Sequence, residues 1–309
     1  MSRRFDQKIE VCICTYRRAS LIDTLRSIDR GVAKMPISIL VIDNDDTPSA
    51  QSATDAFTVT SDLAVAYMHC PGANISIARN AALSHARGRY LAFLDDDETA
   101  GPDWLVHLER TMATTSAPVV LGPVQAVYDE DGPKWMQKAD LHSTGPVFVG
   151  GQIKTGYSCN VMIDREHPAF HDLSFPLELG RSGGEDTAFF TEAYDRGARI
   201  AFSPNAVVYE PVPPERARFA WLAKRRYRMG QTHGRLLLRR ASAMSTLQGG
   251  ALALGKTIYC AVEALVTSYS PMRRNRAVLR GCLHAGTFSA HLGLRNLELY
   301  GQNNKGVTP

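Results

Sequence analysis

Between Ile9 and Leu94 the chain alternates short apolar runs with segments of helical periodicity, and this alternation restricts the fold more than any other feature. Ile9 to Cys14, Ile37 to Ile42, Leu63 to His69 and Tyr90 to Leu94 read as strands. Ser20 to Arg30, Pro48 to Phe57 and Ile75 to Ala86 read as the helices between them. Repeated βαβ units imply an α/β fold: a mostly parallel sheet flanked by helices, with ligands beyond the carboxyl ends of its strands. No GxGxxG follows the first strand, where Cys14-Thr15-Tyr16-Arg17-Arg18 stands instead, so a dinucleotide-binding oxidoreductase is disfavoured.

Past residue 118 the pattern loosens, with strands expected at Val119 to Leu121, Val124 to Tyr128 and Val161 to Ile163. A helix is expected from Glu185, and Arg199 to Tyr209 reads as a strand, a proline turn and a strand. Pro211, Pro213 and Pro214 mark a change of architecture, dividing residues 1–214 from a helical region at 215–309. That region is basic from Glu215 to Arg240 and more apolar from Leu247 to Tyr269. Gly249, Gly250, Gly255, Lys256 and Glu263 interrupt the apolar stretch, which falls short of a clean membrane span. Packing helices and helices lying on a membrane surface both account for it. Lys224-Arg225-Arg226, Arg239-Arg240 and Arg273-Arg274 with Arg276 favour the surface, because anionic lipid attracts such clusters.

Composition narrows the class. Of 309 residues, 44% are hydrophobic and 21% charged, which argues against extended disorder, and a net charge of +4 does not by itself point to nucleic acid. Six scattered cysteines (Cys12, Cys14, Cys70, Cys159, Cys260 and Cys282) form no CxxC pair and imply a reduced setting. Cys12 and Cys14 share one face of the first strand as small buried hydrophobes. The amino terminus lacks the apolar stretch of a secretory signal, and a cytoplasmic location is expected.

Leu91-Ala92-Phe93-Leu94-Asp95-Asp96-Asp97-Glu98 is an apolar run ending in four acids. Such a cluster repels itself unless a cation, a ligand or water compensates it, and an exposed acidic loop is the competing reading. Asp43 at the end of the second strand, Asp95 and Asp97 at the end of the fourth, and Glu185-Asp186 after Gly183-Gly184 would meet in one crevice. A nucleoside diphosphate with Mg²⁺ or Mn²⁺ suits it, because such hard cations take one or two carboxylates and complete their shells with phosphate and water.

The chemistry implied is departure of a nucleoside diphosphate from a sugar, with a carboxylate as general base on the acceptor hydroxyl. Asp186 is the candidate base; Gly-Gly-Glu-Asp also reads as a plain helix start. Gly183 and Gly184 would allow the backbone to approach substrate closely. Arg225, Arg226 and Arg228 around Tyr227 could hold the diphosphate of the donor or of a lipid acceptor, or form a solvated basic face. Trp135 and Trp221 could stack on sugar rings or sit in a core.

Cys14-Thr15-Tyr16-Arg17-Arg18, Val41-Ile42-Asp43-Asn44, Asn74-Ile75-Ser76-Ile77-Ala78-Arg79-Asn80, Phe93-Leu94-Asp95-Asp96-Asp97 and Gly184-Glu185-Asp186 come in the order of a known signature. They resemble the family 2 glycosyltransferases with the GT-A fold over roughly residues 9 to 230. Pro211-Val212-Pro213 and Trp221 to Arg228 are similar to a narrower group, the bacterial succinoglycan-type exopolysaccharide glucosyltransferases. The resemblance implies a catalytic domain at 1–214 and transfer of glucose from UDP-glucose to a polyprenyl-diphosphate-linked oligosaccharide. It places the enzyme on the inner face of the cytoplasmic membrane, with no nucleic-acid partner. Thr15, Tyr16 and Arg18 would lie near the nucleotide, Asp43 would accept from the uracil, and Arg79 would contact base or diphosphate. Asp95 and Asp96 would lie on the ribose side and Asp97, with Asp95, at the metal. Asp186, next to Glu185, would be the base of an inverting single displacement giving a β-linkage, and Cys159 and Asn160 would line the acceptor side.

Where many metal-dependent GT-A enzymes carry a histidine, this chain has Val207-Val208-Tyr209-Glu210, so either Glu210 substitutes or Asp97 and the diphosphate hold the metal alone. The Gln-x-x-Arg-Trp motif of processive synthases is absent, which favours one sugar per encounter. A sugar-phosphate nucleotidyltransferase and a non-catalytic membrane or nucleic-acid binding protein are the alternatives. The first usually has a Gly-rich loop after the first strand, and the acidic strand ends disfavour nucleic acid.

Overall fold

The computed structural model describes residues 9–31, 35–238, 242–295 and 297. They form two compact units. The first comprises the described residues of Met1–Val127, Ser143–Arg181 and Glu185–Pro211. The second comprises Tyr128–His142, Ser182–Gly184 and the described residues of Val212–Pro309, so the division falls three residues before the expected boundary and draws two earlier segments across it.

In chain order the first part runs β1 (Ile9–Thr15), α1 (Leu21–Gly31), β2 (Ile37–Asp43), α2 (Gln51–Thr60), β3 (Ala64–His69), α3 (Ile75–His85) and β4 (Tyr90–Leu94). Then follow β5 (Thr99–Ala100), α4 (Trp104–Thr115), β6 (Val119–Leu121), β7 (Val124–Tyr128), α5 (Lys134–Ala139), β8 (Phe148–Val149), β9 (Gln152–Ile153) and β10 (Asn160–Asp164). The chain continues through α6 (Glu185–Asp195), β11 (Ile200–Phe202), β12 (Val208–Val212), α7 (Phe219–Leu238), α8 (Ala243–Val266) and α9 (Pro271–His291).

Nine strands form one sheet in the order β3-β2-β1-β4-β10-β6-β11-β9-β8. From β3 to β4 every pairing is parallel, as the βαβ pattern requires, while β10 enters antiparallel between β4 and β6. β5, β12 and β7 form a second, small sheet.

Every residue of β1 and β2 is buried, because helices cover both faces of the sheet. Strand alternation sorts the side chains into two cores. Val11 and Ile13 pack with Leu21, Leu25, Phe57, Trp104 and Leu108 of α1, α2 and α4. Cys12 and Cys14 share the other face, as expected, with Ala78, Ala82, Phe175, Phe189 and Phe190, beneath α3 and α6.

In the second unit α9 packs along both α7 and α8. Added Cβ atoms on Gly230 and Gly286 would collide with the backbone of Leu283 and Tyr227, so α7 and α9 approach with no side chain between them. The expected helix from Glu215 begins at Phe219, and Arg239 and Arg240 lie outside the described residues. Gly249, Gly250 and Gly255 do not break α8. Among the described residues it is the one helix long and apolar enough to cross a membrane by length and composition.

Candidate active site

Since β1, β2 and β4 run parallel, Thr15, Asp43 and Asp95 emerge at one edge of the sheet. Antiparallel β10 brings Cys159 to that edge, because Asn160 pairs with Leu94. The loop after β4 is tied to the end of β1. Thr15 Oγ1 donates to Asp96 Oδ2 at 2.7 Å, the Tyr16 amide reaches the same oxygen at 3.4 Å, and Ser20 Oγ donates to the Asp96 carbonyl at 2.9 Å. Arg18 lies 3.6 Å from Asp96 Oδ1 and 3.3 Å from Asp97 Oδ2, so one guanidinium faces both carboxylates. Arg17, at a positive φ of 54°, turns to Asp45 instead, at 2.8 Å.

Asp43 is fully enclosed. Its carboxylate accepts from the Ala50 amide at 2.8 Å, the Asp45 amide at 3.1 Å and the Tyr67 hydroxyl at 2.9 Å, which ties down the turn after β2. A carboxylate has about four acceptor positions, so about one remains for a ligand's N–H.

Arg79, buried on α3, bridges two acids. Its Nη1 pairs with Glu185 Oε1 at the start of α6, and its Nη2 lies 3.6 Å from Asp95. Burial alone would lower the Arg79 pKa, and Glu185, Asp95 and Asp186 outweigh it. Burial raises the pKa of Glu185, with Asp186 adding and Arg79 opposing, and Glu185 Oε2 is buried with no hydrogen-bond partner. Asp186 is half-buried; its Oδ1 accepts from the Thr187 amide at 2.6 Å and the Thr187 hydroxyl at 3.3 Å.

Two acids at the end of β4, Asp95 and Asp96, resist ionisation. Desolvation pushes Asp95 up to about 6, with Arg79 opposing and Asp97, Glu210 and Asp186 adding. As 40% of the Asp95 side chain is open to solvent, the like charges around it are the more telling cause. Asp96 is pushed up to about 7 by burial and by Asp97, against its bonds to Thr15 and Arg18.

Unlike charges relieve such crowding, and a hard divalent cation fits it through Asp97 and Asp95, with Glu210 in electrostatic reach of Asp95. A tighter group, Asp95, Glu98 and Cys159, holds its ligand atoms within 4.8 Å. It fits a hard cation less well. Glu98 is buried and accepts from the Asp95 amide at 3.1 Å, and burial raises the Cys159 thiol well above its ordinary range. The role of Glu98 had only its place in the acidic run as a signal.

Several expectations change. Gly183 and Gly184 have φ of 81° and 96°, and added Cβ atoms would meet Arg228 and Thr232, so their openness is taken up by α7 rather than by a ligand. Asn160 belongs to the framework: Oδ1 accepts from Trp104 Nε1 at 2.8 Å, and Nδ2 donates to the Pro123 and Ala206 carbonyls at 2.9 and 2.8 Å. In the second unit Trp221 stacks on His142, with centroids 5.4 Å apart, and Arg225 lies 5.3 Å from its ring, so that face is already covered. Arg228 donates to the Ser182 carbonyl at 2.8 Å. Trp135 packs near Phe219 and lines an open groove of about 600 Å³ with Arg218 and Arg274.

The profile described as "Glycosyl transferase family 2" matches residues 10–167. The chain is 48% identical to the succinoglycan biosynthesis protein ExoM of Rhizobium meliloti (strain 1021), over 95% of this chain and 96% of that protein. Among solved structures, the mannosyltransferase PcManGT of Pyrobaculum calidifontis, in complex with GDP-Man and Mn²⁺, superposes with a TM-score of 0.61. It is 21% identical, with 92% of this chain and 86% of that one covered. TarS 1-349 of S. aureus in complex with UDP gives a TM-score of 0.53 at 20% identity, covering 93% of this chain and 92% of that one.

Proposed function

The chain belongs to glycosyl transferase family 2, and from that premise we propose that this glycosyltransferase moves one glucose at a time from UDP-glucose to a polyprenyl-diphosphate-linked oligosaccharide in succinoglycan-type exopolysaccharide synthesis. The observation that carries the reading is the acidic edge of the sheet, where Asp95, Asp96 and Asp97 follow β4 and face Arg79 and Arg18. Family membership favours it over nucleotidyl transfer and over a non-catalytic binding protein.

Thr15, Tyr16 and Arg18 line the nucleotide end, and Arg18 holds Asp96 and Asp97 in place. Asp43 offers its remaining acceptor position to the uracil, which requires the enclosing turn to open. Asp95 and Asp96 bound the ribose side. Asp97, with Asp95, would hold a divalent ion, and Glu210, whose charge reaches Asp95, would stand in for the histidine that many metal-dependent GT-A enzymes carry. Mg²⁺ or Mn²⁺ would supply Lewis-acid stabilisation of the departing diphosphate. Arg225, beside Trp221, and Arg228, which also holds the Ser182 carbonyl, are proposed to take the diphosphate of the donor or of the lipid acceptor.

Arg79 fixes the start of α6 through Glu185, and Thr187 orients Asp186. Both Thr187 bonds go to Oδ1, so Oδ2 is the oxygen proposed to take the acceptor's proton. As it does, the acceptor oxygen bonds to the anomeric carbon, the bond to the diphosphate breaks, and UDP leaves with inversion. The enzyme works on the cytoplasmic membrane's inner face.

Isothermal titration with UDP-, GDP- and dTDP-sugars, with and without Mn²⁺, tests the donor. Asp186→Asn is expected to cut transfer by about a thousandfold while leaving UDP-glucose binding nearly intact. Asp97→Asn is expected to weaken Mn²⁺-dependent donor binding by about tenfold. Equal loss of donor binding in both variants overturns the division of roles.

A further inference from the structure

Helix α8 is patterned inside out. Its buried positions are small, with Gly250, Ala253, Cys260 and Ala264 forming one stripe. That stripe faces α9: Gly249 and Gly250 lie against His291, Cys260 against Gly281 and Arg280, and Glu263 pairs with Arg280. The large apolar side chains point the other way. Leu247, Ile258, Tyr259, Val262, Leu265 and Val266 are all more than half exposed, from 53% at Val262 to 75% at Leu265. A water-facing helix does the opposite, whereas small residues between helices and large apolar ones outside are how helices pack in lipid. The exposed face is also far too continuous for scattered surface apolar residues.

Charge identifies what covers it. Between Phe219 and Arg295 the sequence has thirteen Lys and Arg and a single acid, Glu263, which is already paired. Arg273 and Arg274, both exposed, open α9 just beyond the exposed Tyr269 that follows α8. A second copy of the chain would set these arginines against their own kind. Anionic headgroups would complement them.

We propose that the outward face of α8 lies in the headgroup–acyl boundary of an anionic bilayer with its axis along the membrane, and that Arg273 and Arg274 sit among the headgroups. The proposal deepens, and rests on, the reading of a lipid-linked acceptor. The helix does not span. The pairs Gly249–His291 and Cys260–Gly281 show α9 running antiparallel beside α8, so a spanning α8 would take Arg276, Arg280 and His284 into hydrocarbon.

The test uses the full chain and vesicles of phosphatidylglycerol with phosphatidylcholine, or of phosphatidylcholine alone. Wild type is expected to sediment with the anionic vesicles, to be released by high salt, and to be extracted by alkaline carbonate. Ile258→Glu combined with Leu265→Glu is expected to lower the bound fraction by about tenfold. Its titration with UDP-glucose, unchanged from wild type, shows that the variant folds. A Tyr259→Trp variant is expected to shift its emission to the blue on vesicles and to be quenched by brominated lipid. Undiminished binding by the double variant overturns the proposal. Retention against carbonate replaces it with a spanning helix, and conversion of a dimer to a monomer without change in vesicle binding replaces it with a second copy. Loss of donor binding in wild type, with vesicle binding intact, would sink the functional reading and leave the membrane face standing.

Discussion

Arg79 is the residue on which the acidic edge depends, since one buried guanidinium serves Glu185 and Asp95 together. Removing it leaves two carboxylates without their counter-charge, and Arg79→Met is expected to cost about 4 kcal/mol of stability, measured by urea unfolding. Adding Glu185→Gln to that variant is expected to recover part of the loss, as a double-mutant cycle would show. The place of Arg79 was legible because it stands in an ordered motif, and so were Thr15, Asp95 and Asp97 at strand ends. Its partner was not, because Glu185 lies 106 positions away and only the fold brings the two together. Asn160 makes the same point. Its three bonds go to residues 37 to 56 positions distant, and nothing local marks it as framework.

At the scale of elements, the strands and helices up to β4 were legible within a few residues because their periodicities are strong and turn residues separate them. Later elements were not. The α4 positions Trp104, Leu105, Leu108 and Met112 carry a helical spacing hidden behind the acidic run, and β8 and β9 are only two residues each. The α7–α9 contact is built on absent side chains, so Gly230→Ala is expected to force the helices apart at a cost on the order of 3 kcal/mol, read as a lower urea midpoint. Tyr128 is tied to the segment before α7 by His142. The Arg216 carbonyl can only accept, so Nε2 carries the proton, and Nδ1 accepts from the Tyr128 hydroxyl at 2.7 Å. Burial above all holds His142 below its ordinary 6.5, the Arg216 carbonyl opposing and Arg225, Arg216 and Arg226 adding. The unfolded chain therefore takes up this proton first. The contribution of the neutral ring is complete above 6.5 and is lost as pH falls through the lower folded value. Hydrogen exchange in Tyr128–His142 is expected to accelerate between about pH 7.5 and about pH 5.5, and to lose most of that dependence in His142→Gln.

For the molecule as a whole, the class of fold followed from the first hundred residues, but the order of the sheet did not. β10 enters beside β4 from 66 positions later in the chain, and no residue in it signals that it will run antiparallel. In the finished protein that insertion brings Cys159 to the edge where Asp95 emerges. Before β10 exists, Leu91 and Phe93 stand on an unpaired edge, with β1 on one side and nothing on the other. A chain stopped after Ala100 is thus expected to aggregate, and sedimentation of residues 1–100 against 1–211 would show it. On a ribosome the same edge stays open until the strand that closes it has been made, so the nascent enzyme passes through a sticky stage that its mature form gives no hint of.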